Sequence, residues 1–582
     1  MAATPKPPRL KPARTKLLPT RAEWILFGVA VAIRLIHVFA VRDSVWFRYP
    51  IIDAATYHDA ALAIAAGQGH PDRVFWQPPG YAYFLGAIYA MTGGSDLVAR
   101  IVQCLLGGVT ALLTARIGTL VFGRGVGVAA GYAAALYGTL VYFDATLLTP
   151  ALGIPLLLAG IWLGLRAERE RAAPRLWAGA GAFTGLAAIV TANALVLVPV
   201  LAWRARTRWW IVVVSALLAV LPLTLRNAAR GGEAVLISSN MGINLYIGNN
   251  AHYDETVGVR PDLQWRRLTA EPRRVGIRDA AGGSAYFVRR VIQYAASEPA
   301  GFLLLQLKKL RLLLGGDEIY RNQAIYPDRN ASPVLAALLW KIPGLAFPLG
   351  LLLPLAAVGL AVGARRTPLL SVSILVYALS LVAFFIAARY RLPLVPLLLV
   401  FAAEGGRWLW KEAGSRQRLL ALGGMAAVYA VANLGQGRME TRMNPDAEFS
   451  VGVRIALAGH RDEARDHFRR ALTDKPDYAE AWSNLGVLLA RDGKPEEAER
   501  AFLRAVELAP EETTALANLA VFYEKERRPA EAEQLYERIL SIDPGDGLAA
   551  ERLRGLRSPA PVAPPGGPPP PAGERVPVGP TP

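Results

Sequence analysis

Long apolar stretches recur from residue 23 to about residue 435, separated by short polar connections rich in arginine. Eleven of them read as membrane-spanning helices: 23–41, 98–121, 126–146, 150–166, 176–190, 192–203, 209–226, 342–362, 367–387, 392–410 and 417–435. A perpendicular helix needs about 20 apolar residues to cross the hydrocarbon core. Several stretches are shorter, so the count is soft by one or two. Loop charge tests the order. With the N-terminus inside, the loops holding Arg124, Arg166/Arg169/Arg171/Arg175, Arg204/Arg206/Arg208, Arg365/Arg366 and Arg407/Lys411/Arg416/Arg418 all fall on one side. Basic short loops stay cytoplasmic, which makes that side the inside. The same agreement supports dividing 176–203 into two short helices at Thr191-Ala192-Asn193.

Loops 42–97 and 227–341 then lie outside. The second is basic, but long segments translocate largely regardless of charge. Within it, "GFLLLQLKKLRLLLGG" (301–316) is amphipathic and basic, as an interfacial helix is. "PPGYAYFLGAIYAMTGG" (78–94) reads as a juxtamembrane helix, with a spanning helix as the alternative. The first apolar stretch follows six Lys/Arg between Lys6 and Arg21 and lacks an A-x-A-like cleavage site. It is expected to stay as a signal anchor with a basic cytoplasmic leader, 1–22.

The pattern changes after residue 435. A 34-residue period runs through 445–478, 479–512 and 513–546. Gly452, Gly486 and Ala520 recur at one position, Ala464, Ala498 and Ala532 at another, and Phe468, Phe502 and Tyr536 at a third. Pro476, Pro510 and Pro544 close the units. This is the tetratricopeptide pattern: small residues let paired helices approach, and the aromatic fills the space between them. A terminal helix is expected up to 556. The Pro-rich remainder, 557–582, has no means of building a core and is expected to be disordered. The fold class expected is therefore all-α, a polytopic helix bundle of about eleven spans (23–435) followed by a tetratricopeptide solenoid.

Composition sharpens this picture. The chain has 582 residues, 53% of them hydrophobic, with a net charge of +18. Residues 445–546 carry a net −8, which leaves +26 elsewhere. In a membrane protein such an excess sits in cytoplasmic loops and beside lipid phosphates; no nucleic-acid module accompanies it. The single cysteine, Cys104, excludes an intramolecular disulfide and a Cys metal site. The six histidines show no His-x-x-x-His spacing, and Asp with Asn suits at most a weakly held Mg²⁺ or Mn²⁺. "FGRGVG" (122–127) lacks the Lys-Ser/Thr of a phosphate loop, and no G-x-S-x-G elbow exists.

Candidate chemistry begins at "YPIIDAATYHDAALAIAAGQG" (49–69), a short helix opening at Asp53 and stopped by Gly67. Asp53 reads as an N-cap and, equally, as a carboxylate at a cavity facing the membrane; the two roles are compatible. Asp59 and His58 read as solvated and Tyr57 as supporting. Asp144, at the outer end of the third span, reads either as a second acid of that cavity or as an ordinary interface residue. Arg389 and Arg391, at the outer end of another span, suit a lipid phosphate or plain snorkelling. Arg226, Asn227, Asn240, Asn244, Asn249 and Asn250 crowd one outside loop, either as loop chemistry or as partners for sugar hydroxyls. Glu318 and Asn322 are further polar candidates.

Several stretches carry a resemblance. They are Asp53 after the first span, "WQPPGYAYFLGAIY" (76–89), "RIVQCLLGGVTALLTARIGTLVFG" (100–123), "LRNAARGGEAVLISSNMGINLYIGNN" (225–250), "GGDEIYRNQAIY" (315–326) and "ARYRLPLVPLLLVFAAEG" (388–405). In this order, over roughly 20–410, they resemble the dolichyl-phosphate-mannose-type protein mannosyltransferases among the C-type membrane glycosyltransferases. The resemblance implies an inverting transferase that uses a polyprenyl-phosphate sugar at the outer face of the plasma (inner) membrane. The family's first-loop acid maps onto Asp53. Its frequent second acid is Ala54 here, and a basic residue before Pro-Pro is Gln77. The acceptor hydroxyl is left open among protein, lipid and glycan, and the repeats imply a protein partner on the extracytoplasmic side. Two rivals stand beside this reading: an inactive membrane-anchored scaffold, and a transporter, for which Arg34 and His37 in the first span are the only hint.

Overall fold

The computed structural model describes residues 19–557 apart from 171–173, 259–262, 322–323, 436, 438 and 441. Asn322, most of the basic leader and the Pro-rich tail lie outside the described residues. Contacts divide the chain into two units. The first is 1–47, 57–258 and 271–441, and the second is 48–56, 259–270 and 442–582.

The first unit is a bundle of apolar helices. Arg21–Val41 opens on Thr20, whose hydroxyl accepts from the Glu23 amide while the Glu23 carboxylate accepts from the Thr20 amide. This reciprocal cap satisfies two backbone donors that would otherwise be orphaned. Ser95 caps Asp96–Phe122, and Gly123, at φ 97°, turns the chain into Arg124–Ala135. These two helices pack closely through Gly118, Gly127, Ala115 and Gly131. In lipid, apolar side chains gain little by leaving their solvent, so helices associate where small residues let backbones touch. Gly181 and Gly185 do the same where Pro174–Val190 meets Trp209–Gly231, and Gly359 and Gly405 where Leu349–Gly363 meets Val395–Lys411.

All eleven predicted spans fall on helices, with adjustments. By length and apolarity six segments qualify among the described residues, or seven if the pair Arg124–Ala135 and Gly138–Asp144, bent by 55°, is one span. Ala192–Gly231 passes as one 40-residue segment, although Arg206 interrupts it at φ 54°. Pro174–Val190 and Pro368–Ala383 are shorter, with 17 and 16 residues. The chain breaks at Thr191, in the Thr-Ala-Asn stretch expected to divide two helices. The expected start of a span at 342 is corrected. Trp340–Ile342 and Leu345–Phe347 form a two-stranded hairpin through Gly344, and the helix begins at Leu349. The 78–94 segment forms Gly80–Thr92, 13 residues and about 20 Å long, too short to span.

In the second unit the repeats fold as Pro445–Leu457/Arg461–Asp474, Ala479–Arg491/Pro495–Leu508 and Thr513–Lys525/Pro529–Ile542, followed by Gly547–Arg557. A Cβ on Gly452 would meet the Phe468 ring at 2.8 Å, and one on Gly486 the Phe502 ring at 2.8 Å. That contact is why glycine recurs opposite the aromatic. Segments 48–56 and 259–270 belong to this unit: the Tyr49 ring lies 6.4 Å from His460, and Arg266 donates to Thr514 at 3.2 Å.

Candidate functional site

Asp53 sits in the first turn of Ile52–Ala65, one residue past the helix start and not at the cap itself. Ile52 enters at φ 52°, a left-handed conformation uncommon for a β-branched residue. Gly67, at φ 78°, ends the helix as its amide meets the Ile64 carbonyl and the Gln68 amide returns to Ala63. A carboxylate in the first helical turn is favoured by the exposed N–H groups there, which lean toward negative charge.

Tyr57 is one turn further on and buried, its ring edge-on to Tyr81 at 5.1 Å. The Tyr81 hydroxyl donates to Gln103, whose amide donates to the carbonyls of Asp144 (2.9 Å) and Thr146 (2.8 Å). His58, expected to be solvated, is instead partnered. Its Nδ1 lies 2.8 Å from the Tyr89 hydroxyl and 3.1 Å from Asp96 Oδ1. Asp96 in turn faces Arg100 at 3.6 Å, and Arg100 donates to the carbonyls of Ala145 and Phe47. Sequence reasoning missed this cluster. Its signal was present in Arg100 and Gln103, two polar residues three apart in an apolar span, which spacing places on one helix face.

Asp144 is buried within the bundle. It is 5% exposed, and its Oδ2 accepts from Arg34 Nε at 2.5 Å, while Arg34 also donates to the carbonyls of Ala30 and Ala135. Gly107 packs directly against this pair, where a Cβ would overlap both Arg34 and Asp144. His37 hydrogen-bonds Ser332 at 2.8 Å. The two polar groups that hinted at transport are therefore held inside the bundle.

The amide-rich loop is committed to its own architecture. Asn227 accepts from the Phe75 amide (3.1 Å) and donates to the carbonyls of Val235 and Ile237. Arg226 donates to Arg73, His70 and Asp72 carbonyls and lies 4.1 Å over the Phe75 ring. Asn249 donates to Leu245 and Ala383 carbonyls and accepts from Gln306 and Lys309. Asn250 donates to Tyr246 and Thr256 and accepts from the His252 amide. Asn244 is half-buried in Met241–Ile247. Lys309 is fully buried, donating to Gly248 O, Asn249 Oδ1 and Phe384 O at 2.7–3.0 Å. Burial opposes its charge and lowers its pKa to about 7.

Arg391 and Glu318 pair with each other. Arg391 is 3% exposed, reaches the Gly315 and Asp317 carbonyls at 2.5 Å and Glu318 Oε2 at 3.2 Å, and Thr139 donates to Glu318 Oε1 at 2.7 Å. Arg389 differs. It is half-buried, stands 4.6 Å over the Tyr390 ring, and lines a cleft with Pro150, Ile154, Leu157, Thr191, Tyr377 and Tyr390. Among the described residues no three His, Cys, Asp or Glu side chains group as a metal site would need.

An apolar helix bundle with polar loops, carried in one chain with a helical repeat array, defines a polytopic membrane protein with a solenoid domain. Residues 76–225 match the dolichyl-phosphate-mannose-protein mannosyltransferase family, and 458–512 and 490–547 match the tetratricopeptide repeat. One chain thus carries a protein-mannosyltransferase-type region at 76–225 and tetratricopeptide repeats toward its C-terminus. Among solved structures it is similar to the archaeal oligosaccharyltransferase AglB from Archaeoglobus fulgidus, in complex with an inhibitory peptide and a dolichol-phosphate. The identity is 12%, over 70% of this chain and 54% of that one, with a TM-score of 0.37. The chain thus spans about half the length of AglB. It is also similar to the first repeat domain of Spaghetti (RPAP3) bound to an HSP90 peptide, at 24% identity over 19% of this chain and 90% of that one, TM-score 0.19. Pseudomonas aeruginosa pilF is 21% identical over 24% of this chain and 59% of its own, TM-score 0.19. No curated protein matches the chain.

Proposed function

We propose that this protein transfers a sugar from a polyprenyl-phosphate donor to a hydroxyl acceptor at the outer face of the plasma membrane, with inversion. The family match of 76–225 carries this reading. In the proposed step the Asp53 carboxylate takes the acceptor's proton as its oxygen attacks the anomeric carbon. The bond from that carbon to the phosphate oxygen breaks, and polyprenyl phosphate leaves with the electron pair. Arg389, in the first unit, is the candidate cation for the donor's phosphate. Tyr57 and Asp144 act as positioning groups, and Arg391 with Glu318 frames the Arg389 segment. Arg226, Asn227, Asn249 and Asn250 shape the loop, because their polar atoms are already engaged within the chain; Asn244 is the candidate amide for the acceptor.

The tetratricopeptide repeats recruit a protein partner or the acceptor itself. Their outside placement, with a cytoplasmic N-terminus, is supported within the second unit. There Tyr49 and Arg266, from the two loops read as outside, meet His460 and Glu512 of the repeats. The scaffold reading draws its support from Ala54, which replaces the family's second acid.

The test is turnover by the purified protein with a panel of polyprenyl-phosphate sugars, compared with Asp53→Ala and Arg389→Ala. Loss of transfer in Asp53→Ala and a raised donor KM in Arg389→Ala are expected. Equal transfer by Asp53→Ala removes Asp53 as the base, and no turnover with any donor favours the scaffold.

A further inference from the structure

The Pro299–Leu314 helix belongs to the first unit and turns two unlike faces outward and inward. Leu303, Leu307, Leu310 and Leu314, spaced by four, three and four residues, form an exposed stripe with Leu304 beside it; Leu303 and Leu304 are 60% and 66% exposed. The opposite line of Leu305, Lys309 and Leu313 is buried. Lys308 and Arg311 flank the stripe, exposed, with Lys308 Nζ 2.6 Å from Asp254. Five outward leucines on a helix of 16 residues are far more than the scattered apolar exposure of an ordinary surface.

The neighbours of this helix identify what covers it. Lys309 donates to the carbonyl of Phe384, just past Pro368–Ala383, whose Leu375 and Leu379 are each 56% exposed. The Gly316 amide donates to Ala432 O in the last turn of Ser415–Asn433, at 2.7 Å. The leucine stripe thus continues the outward apolar surface of helices read as spans, at the ends that loop charge assigns to the outside. An apolar face with basic flanks in that position fits the hydrocarbon and phosphates of the outer leaflet.

The buried face leads elsewhere. Lys309 holds the backbone at Phe384, the Ala388 amide donates to Ile319 O at 2.7 Å, and Arg391 donates to Gly315 O at 2.5 Å. The helix and the five residues after it therefore grip the 384–391 segment at three points on both sides of Arg389. We infer that Pro299–Leu314 is seated in the outer leaflet and acts as a lipid-anchored brace, with Lys309 as the positioning residue that sets the Arg389 segment. The membrane seating stands on geometry alone; the catalytic consequence rests on the proposed transferase reading.

Two readouts separate these. In the full-length protein in nanodiscs of phosphatidylethanolamine and phosphatidylglycerol, Leu303→Cys, Leu307→Cys and Lys308→Cys are labelled with a fluorophore. The stripe positions should be quenched at least threefold more by chain-nitroxide lipids than by aqueous iodide, and Lys308→Cys the reverse. Preferential iodide quenching at the stripe, or no quenching by either reagent because protein covers it, overturns the seating. The second readout is alkylation of Ala387→Cys, a position 3% exposed, with buried Cys104 as internal reference. Lys309→Met, and independently Leu303→Glu/Leu307→Glu, should speed alkylation about tenfold while Cys104 is unchanged. If transfer is observed, both should also raise the donor KM about tenfold and leave the acceptor KM unchanged. Unchanged Ala387→Cys alkylation in both variants overturns the brace. Altered alkylation without any turnover in the wild type leaves the brace standing and sinks the transferase reading instead.

Discussion

Glycine does the same job in the two units but is readable in only one of them. In the repeats, Gly486 makes room for the Phe502 ring 16 residues later, and Gly452 makes the same room for Phe468. In the membrane unit Gly107 makes room for an ion pair between Arg34 and Asp144, residues 110 positions apart. A solenoid buries each residue against its own and adjacent repeats, so partners recur at a fixed spacing. A helix bundle in lipid joins distant segments once each, and its polar pairs have no period. The comparison teaches where a sequence speaks for itself, and perturbations of each unit can break or sharpen it.

The largest effect is expected at Asp53. Asp53→Ala should lower transfer roughly 10²–10⁴-fold, measured as sugar transferred from a polyprenyl-phosphate donor, while proteolytic resistance of the repeats stays unchanged. Next comes the buried pair. Asp144→Ala should cost about 3–5 kcal/mol by leaving Arg34 charged and alone, whereas Arg34→Leu with Asp144→Leu should recover most of the loss. Thermal unfolding in detergent, followed by exposure of Cys104, distinguishes them; equal loss in single and double variants would show that the pair is not the element that matters. In the repeats, Gly486→Ala places a Cβ 2.8 Å from the Phe502 ring and should cost about 1–3 kcal/mol by overpacking. Combining it with Phe502→Leu should relieve part of that cost, and limited proteolysis of the full chain reads the order.

A further prediction concerns pH. The Lys309 pKa lies near 7 in the fold, against about 10.4 for an unperturbed lysine. Between those values the unfolded chain binds more protons, so Lys309 makes stability rise with pH across about 7 to 10. The melting temperature of wild type relative to Lys309→Met should climb over that window and level off below pH 7. A flat difference would mean that Lys309 stays charged throughout, its three protons held by three oxygens.

Much of the fold was legible. The break at Thr191 and the repeat period follow from local chemistry and pattern, and the spans expected from 23 and 98 lie two residues inside helices that start at Arg21 and Asp96. The 340–347 hairpin was not, because its short apolar strands read like the beginning of the next span. The surroundings of the candidate residues were not legible. Arg389 and Arg391 are two residues apart and look equivalent, yet one lines a cleft and the other is clasped by the Gly315 and Asp317 carbonyls and Glu318. His58 reads as a solvated helix residue until Tyr89 and Asp96 arrive beside it.

By itself the sequence determined most of the elements, the repeat register and a short roll of polar residues worth testing. Those properties depend on neighbours within a few turns of helix or on the periodicity of one motif. The tertiary structure alone decided which polar residues pair with one another inside the fold. A buried donor or acceptor must find a partner wherever the chain brings one, and Asn249, Lys309 and Arg391 find theirs across 60 to 134 residues of sequence.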